Sequence, residues 1–254
     1  MSEELAVAIR AAKEAGKIIK ENFGKSQTIT FKENKSFLTE TDVASEKKII
    51  SIIKESFPNH SIIAEESGLS EKNSDHSWFI DPIDGTTNFV KKDPFFAVSI
   101  ALLKQDKPAL GVVYKPILDE LYTAEVGQGA KLNNESLKVS ETSSLSEFMV
   151  GYARPNAKKE RFMKIFPKVD LATRTPKILG SMAIHLCYVA SGKSDAAVLL
   201  SPNSWDVAAG ALIVEEAGGA VTDFEGNHWS PDSEDILASN GRIHQQLLDI
   251  LKSP

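Results

Sequence analysis

One cysteine, Cys187, is all the thiol that the 254-residue sequence holds. No intramolecular disulfide can form from it, and a thiolate zinc cluster is excluded. Long apolar runs are missing as well: no stretch approaches the roughly 18 uninterrupted apolar residues of a membrane span. Positive charge is in deficit, with 29 Lys and Arg against 35 Asp and Glu and a formal net charge of −6. That balance argues against nucleic acid or an anionic membrane as the main partner. The opening "MSEELAVAIRAAKEAGK" is charged throughout and lacks the apolar core of a signal peptide. A cytoplasmic enzyme or binding protein is the expectation.

Covalent catalysis finds little footing either. None of the five histidines lies in a nucleophile motif, and His185, two residues before Cys187 in "IHLCYVA", reads as packing on a buried helix face. A Walker-type loop is absent. The paired glycines of "EVGQGAKLNN" (125–134) lack dinucleotide-binding spacing and read as a hairpin turn.

What is present is an ordinary globular composition with ample material for a core. Leu5, Ile9, Ala12, Gly16, Ile19 and Phe23 repeat at helical spacing, and a second helix is predicted from about Thr41 to Phe57. "HSIIAEES" and "HSWFIDP" read as short buried strands that end in acid. "FFAVSIALL", "ALGVVYK" and "ELYTAEV", punctuated by Pro108, Pro116 and Asp119, predict an antiparallel meander. Beyond residue 148 strand and helix alternate. "FMVGYA", "AAVLL" and "DILASN" read as strands, and 180–191, 205–217 and "IHQQLLDILK" as helices, the second of these capped by Gly218 and Gly219. The fold class is α+β, with a boundary near residue 145 where "SETSSLSE" is the most linker-like stretch.

The chemistry concentrates in "FIDPIDGTTNF" (79–89). Asp-Pro and Asp-Gly are each common in turns. Together, Asp81 and Asp84 flank Pro82 and can aim two carboxylates at one point. Glu65, Glu66 and Asp81 lie just past strands, where sheets deliver side chains to a cleft. Asp42 and Asp206 fall in first turns of predicted helices, where the macrodipole favours a carboxylate; taken singly, each is an ordinary helix cap. Gly85 allows close backbone approach, and Thr86 and Thr87 open a short helix whose N–H groups form an anion site. Oxygen ligands beside a phosphate cradle suit a hard cation such as Mg²⁺ and metal-assisted phosphate chemistry.

"DPIDGTTNF", with "AEES" upstream and "WDVAAGALIVEEAGG" downstream, resembles the inositol monophosphatase family of lithium-sensitive, magnesium-dependent phosphatases. The resemblance runs over nearly the whole chain. It implies an αβαβα layered sandwich, with an N-terminal α+β half over 1–145 and a C-terminal α/β half over 146–254 that carries the WD motif. It also implies that Glu65, Asp81 and the Ile83 carbonyl hold one Mg²⁺, that Asp81, Asp84 and Asp206 hold a second, and that a weaker third lies near Glu65. Gly85 and Thr86 would offer N–H groups to phosphate. Thr86, paired with Asp42, would position and deprotonate the attacking water, and Glu66 would support the site. Attack would be direct, with no phosphoenzyme. The implied partner is a small phosphorylated metabolite, inositol-1-phosphate first, with no membrane, no direct nucleic acid, and a homodimeric assembly.

One position departs from the inositol-specific pattern. Those family members carry a glutamate seven residues before the WD aspartate, and here that position is Leu199. Leucine accepts no hydrogen bond, and an unpaired polyol hydroxyl costs about 1–3 kcal/mol. Leu199 is expected at the cleft edge, facing the substrate's non-phosphate end. Gly180 and Ser181 are expected beside it, with Arg154 and Lys177 adding positive charge. Fructose 1,6-bisphosphate, histidinol phosphate and NADP therefore stay open as substrates. A partnership with the transcription machinery is the alternative of another class.

Overall fold

The structure is a computed structural model, and it describes residues 1–31, 37–69, 74–153 and 158–253. Helix α1 (Glu3–Asn22) starts on Ser2, whose hydroxyl accepts the Leu5 N–H. A small antiparallel ribbon, β1 (Ile29–Phe31) and β2 (Phe37–Thr39), leads into α2 (Glu40–Ser56). An eight-stranded sheet follows. It contains β3 (Ser61–Ala64), β4 (Gly68–Leu69), β5 (His76–Asp84) and, after the short α3 (Thr86–Val90), β6 (Ala97–Lys104) and β7 (Lys107–Lys115). β8 (Glu120–Glu125), β9 (Ala130–Leu132) and β10 (Glu135–Ser136) complete the spatial order β10-β9-β8-β7-β6-β5-β3-β4. The meander read from 95–124 is β6, β7 and β8, antiparallel throughout.

The chain changes sheets between Ser136 and Met149. β11 (Met149–Ala153), α4 (Lys159–Ala172), β12 (Thr175–Lys177), α5 (Met182–Ala190) and β13 (Ala196–Leu200) come next. Then follow α6 (Ser204–Glu216), β14 (Ala220–Thr222), β15 (Asp235–Ser239) and α7 (His244–Lys252), and the second sheet has the order β12-β11-β13-β15-β14. This is an α+β fold. No helix among the described residues is long and apolar enough to cross a membrane.

Burial sorts the elements into layers. α1 and α2 cover the outer face of the first sheet, with Ile19, Ile49 and Ile53 against Trp78, Ile80 and Val98. α5 and α6 fill the space between the sheets, where Ala183, Cys187, Ala209 and Ile213 meet Phe79 and Ala101 from one side and Ala197 and Ala238 from the other. α4 and α7 cover the far face of the second sheet through Phe162, Val169 and Leu247.

The middle layer explains the composition of α6. Every residue from Val207 to Val214 is buried, as expected of a helix that meets protein on all sides. Small residues set its depth: a Cβ on Gly111 of β7 would stand 2.5 Å from the Ala209 carbonyl oxygen. That close approach carries the first turn of α6, and with it Asp206, down onto the first sheet.

Candidate active site

In a regular strand, positions three apart face opposite sides of the sheet. Asp81 and Asp84 escape this because β5 bulges between them. Asp81 pairs with Ser99 and Asp84 with Ala97, so three steps on β5 match two on β6 and both acids emerge on the same face. Pro82, which has no N–H to give to a ladder, sits inside the bulge. Asp81 Oδ1 accepts the Ile83 N–H at 2.9 Å and sets the turn. Glu65 follows β3, the parallel neighbour of β5, and its N–H reaches the Ile80 carbonyl at 3.1 Å, next to Asp81.

The two helix acids serve twice. Asp42 closes a capping box with Thr39: Oδ2 accepts the Thr39 N–H at 2.9 Å and its hydroxyl at 2.5 Å. Its other oxygen, Oδ1, lies 3.1 Å from Thr86 Oγ1. Asp206 Oδ2 accepts the Asn203 N–H at 2.8 Å at the start of α6. Ser99 Oγ donates to the Trp205 carbonyl at 3.1 Å and pins that start to β6. Both acids therefore cap their helices, and Asp42 also reaches Thr86.

Asp42, Asp81 and Asp84 are buried, and Glu65 and Asp206 are half-buried. Burial pushes the carboxyls of Asp42 and Asp84 up to about 6. Asp81 and Asp206 are raised well above the usual carboxylate range, first by burial and then by neighbouring carboxylates, Glu65 and Asp84 in both cases. The charges that act on these two are other acids. An all-oxygen donor set whose members repel one another fits a hard divalent cation. Among the described residues no group of three His, Cys, Asp or Glu side chains is spaced to hold a metal ion.

Gly85, at φ +99°, is the left-handed turn from β5 into α3. A Cβ there would stand 3.0 Å from the Phe95 carbonyl oxygen and 3.3 Å from that of Gly180. Only glycine fits. Asn88 and Phe89 give their N–H groups to the Gly85 carbonyl at 2.9 and 3.2 Å, so Thr86 and Thr87 are the α3 positions whose N–H groups have no acceptor within the helix. Asn88, which the motif reading left without a role, donates to the Phe95 carbonyl at 2.6 Å and the Leu179 carbonyl at 2.7 Å. It thereby joins α3 to both halves of the chain.

The acids and Thr86 come together; the residues expected at the substrate edge divide. Gly180 is exposed and lies against Asn88 and the Gly85 turn. Ser181 does not line an open edge: it is 1% exposed, and its Oγ donates to Asp84 Oδ2 at 2.5 Å while capping α5. Lys177 donates to the Lys193 carbonyl and lies 5.7 Å from the centre of the Tyr188 ring. Arg154 lies outside the described residues. Leu199 is a correction. It is fully buried on the α5–α6 side of β13, so its side chain belongs to the core and not to the cleft. His185 is packing, as its sequence context suggested, with Nε2 accepting the Leu179 N–H at 3.1 Å. Burial pushes its imidazole down to about 4 and raises the Cys187 thiol.

The profile of the inositol monophosphatase family matches residues 1–253. The chain belongs to that family. Among inositol monophosphatase family relatives, Nus factor SuhB of Pasteurella multocida (strain Pm70) is 41% identical, over 98% of this chain and 96% of that protein. Inositol monophosphatase 2 of Solanum lycopersicum is also 41% identical, over 99% of this chain and 98% of that one. The crystal structure of the extragenic suppressor protein suhB from Bartonella henselae superposes with a TM-score of 0.94 at 34% identity, covering 99% of each chain.

Proposed function

We propose that the protein is a Mg²⁺-dependent phosphatase of small phosphomonoesters, inositol-1-phosphate first among them, that uses water directly and forms no phosphoenzyme. The observation that carries this reading is the meeting of Glu65, Asp81, Asp84 and Asp206 around one strand bulge, next to the Thr86–Asp42 contact. Glu65, Asp81 and the Ile83 carbonyl would hold one cation, and Asp81, Asp84 and Asp206 a second. Bound there, Mg²⁺ supplies Lewis acidity and lowers the pKa of water.

The chain's own groups do the rest. The Thr86 hydroxyl orients the attacking water, and Asp42, held near 6, takes up a proton through it at neutral pH. The N–H groups of Gly85 and Thr86 receive the phosphate oxygens. Cys187 and His185 are buried in the core, which supports attack without a covalent intermediate. With Leu199 in the core, recognition of the alcohol portion falls to Gly180 and its neighbours. A homodimer working in the cytoplasm is part of this proposal and follows from the family resemblance alone.

A second reading, as a binding partner of the transcription machinery, is favoured by the Nus factor name of a 41% identical relative. Phosphate release separates the two. Inositol-1-phosphate, fructose 1,6-bisphosphate, histidinol phosphate and NADP are offered with Mg²⁺ and with a chelator. Release that needs Mg²⁺, with the highest kcat/KM on inositol-1-phosphate, is expected. No release from any of them with Mg²⁺ present would leave only the binding role.

A further inference from the structure

Glu46 lies one helical turn after Asp42 on α2, and nothing in the motif reading used it. Its side chain is buried, at 4% exposure. Oε2 accepts the Glu66 N–H at 2.8 Å and Oε1 accepts the Ser67 N–H at 2.9 Å. These N–H groups belong to the three-residue turn, 65–67, that joins β3 to β4, where Ala64 pairs with Gly68 and Gly68 takes φ +78°. Glu65 opens that turn, and its own N–H goes to the Ile80 carbonyl. All three turn N–H groups therefore have fixed acceptors: one from the strand that carries Asp81, two from Glu46.

We infer that Glu46 is a positioning residue for the metal site, resting on the metal-dependent reading above: it sets how Glu65 is presented without reaching the metal itself. The chemistry requires a carboxylate. Both partners are donors, and a carboxylate offers each of them an acceptor oxygen. Glutamine has one acceptor and would turn its amide N–H against a backbone N–H. The turn would then loosen on the side that carries Glu65. α2 thus addresses both sides of the site, Asp42 toward Thr86 and Glu46 toward the Glu65 turn, so the two are held at one spacing by one rigid helix.

The test titrates Mg²⁺ alone into the wild type, Glu46→Gln and Glu46→Asp by calorimetry, with amide exchange followed at Glu66 and Ser67. The Mg²⁺ dependence of phosphate release is measured beside it. Glu46→Gln is expected to bind Mg²⁺ about tenfold more weakly, to exchange those amides faster, and to recover most of its turnover in excess Mg²⁺. Glu46→Asp keeps the charge but reaches only one N–H, and its affinity is expected to fall between the two. Wild-type Mg²⁺ affinity in a folded Glu46→Gln, or lowered turnover with an unchanged Mg²⁺ requirement, would overturn the assignment. Should Glu46→Gln not fold, Glu46→Asp decides alone: unchanged affinity overturns it. A wild type that binds no Mg²⁺ overturns the metal reading and this one together, whereas a wild type that binds while the variants match it defeats Glu46 only.

Discussion

Ser181 and Asp84 lie 97 residues apart and share a 2.5 Å hydrogen bond, Oγ to Oδ2, that ties the start of α5 to the bulge of β5. The Met182 and Ala183 N–H groups add bonds of 3.2 and 2.7 Å to the same carboxylate. Asp84 thus anchors α5 as well as belonging to the acid cluster. Ser181→Ala removes both this donor and the cap on Ile184, so a loss of about 1 kcal/mol in urea unfolding is expected. Mg²⁺ binding should weaken with it, while Ser181→Thr retains both properties. An alanine variant as stable as the wild type would contradict the double role.

Thr86 Oγ1 stands 3.1 Å from Asp42 Oδ1 and 3.1 Å from the Ile83 carbonyl, with one proton to give. Its hydroxyl matters most in the transition state on this account. Thr86→Ala should lower kcat far more than it raises KM, and Thr86→Ser should restore part of the rate. Unchanged kcat with a raised KM would reduce Thr86 to phosphate binding.

Asp42 and Asp84 titrate near 6 in the fold against an ordinary 3.8. Between these values the folded, metal-free protein holds protons that the unfolded chain has released, so their contribution to stability falls as pH rises through the window and stays lost above it. Of these two carboxyls only Asp84 is a proposed metal ligand, and there Mg²⁺ would take the place of the proton. The rise in Tm on adding Mg²⁺ should therefore be larger above about pH 7 than near pH 5. His185 and His244 carry the opposite sign: both are pushed down to about 4 by burial, so their contribution is whole above 6.5 and lost as pH falls through 4. An equal Mg²⁺ shift at the two pH values would count against the buried acids as its seat.

Leu199→Glu should not create an inositol-specific site. The side chain is fully buried between β13 and the middle helices, and a carboxylate there has no partner to compensate burial. Loss of soluble, folded protein is expected, and Leu199→Ala should cost about 2–5 kcal/mol in urea unfolding. A folded glutamate variant with improved kcat/KM on inositol-1-phosphate would return residue 199 to the substrate.

Much of this was legible in the chain because local rules carried it. Helical spacing of apolar residues marked α1, Gly218 ended α6, and the proline inside "DPIDG" marked the point where β5 bulges. α4 escaped, since Pro167 lies within it and Leu171, in its last turn, is 88% exposed, which blurs the apolar face. Leu199 misled for a different reason. "AAVLL" is apolar on both faces of a strand buried on both sides, so alternation could not say which residue points where. Glu46, Asn88 and Ser181 act through partners distant in sequence, and only Glu46, four residues after Asp42, left a local trace.

Asp81→Asn is the most direct test, because Asp84→Asn would also disturb α5. Asparagine preserves the volume and the acceptor for the Ile83 N–H, and it removes one of several charges that repel one another. Mg²⁺ calorimetry and phosphate release are read on the same preparation, with urea unfolding in chelator. The account predicts a metal-free variant at least as stable as the wild type, with Mg²⁺ binding and turnover both lost. Wild-type binding and turnover in folded Asp81→Asn would contradict it.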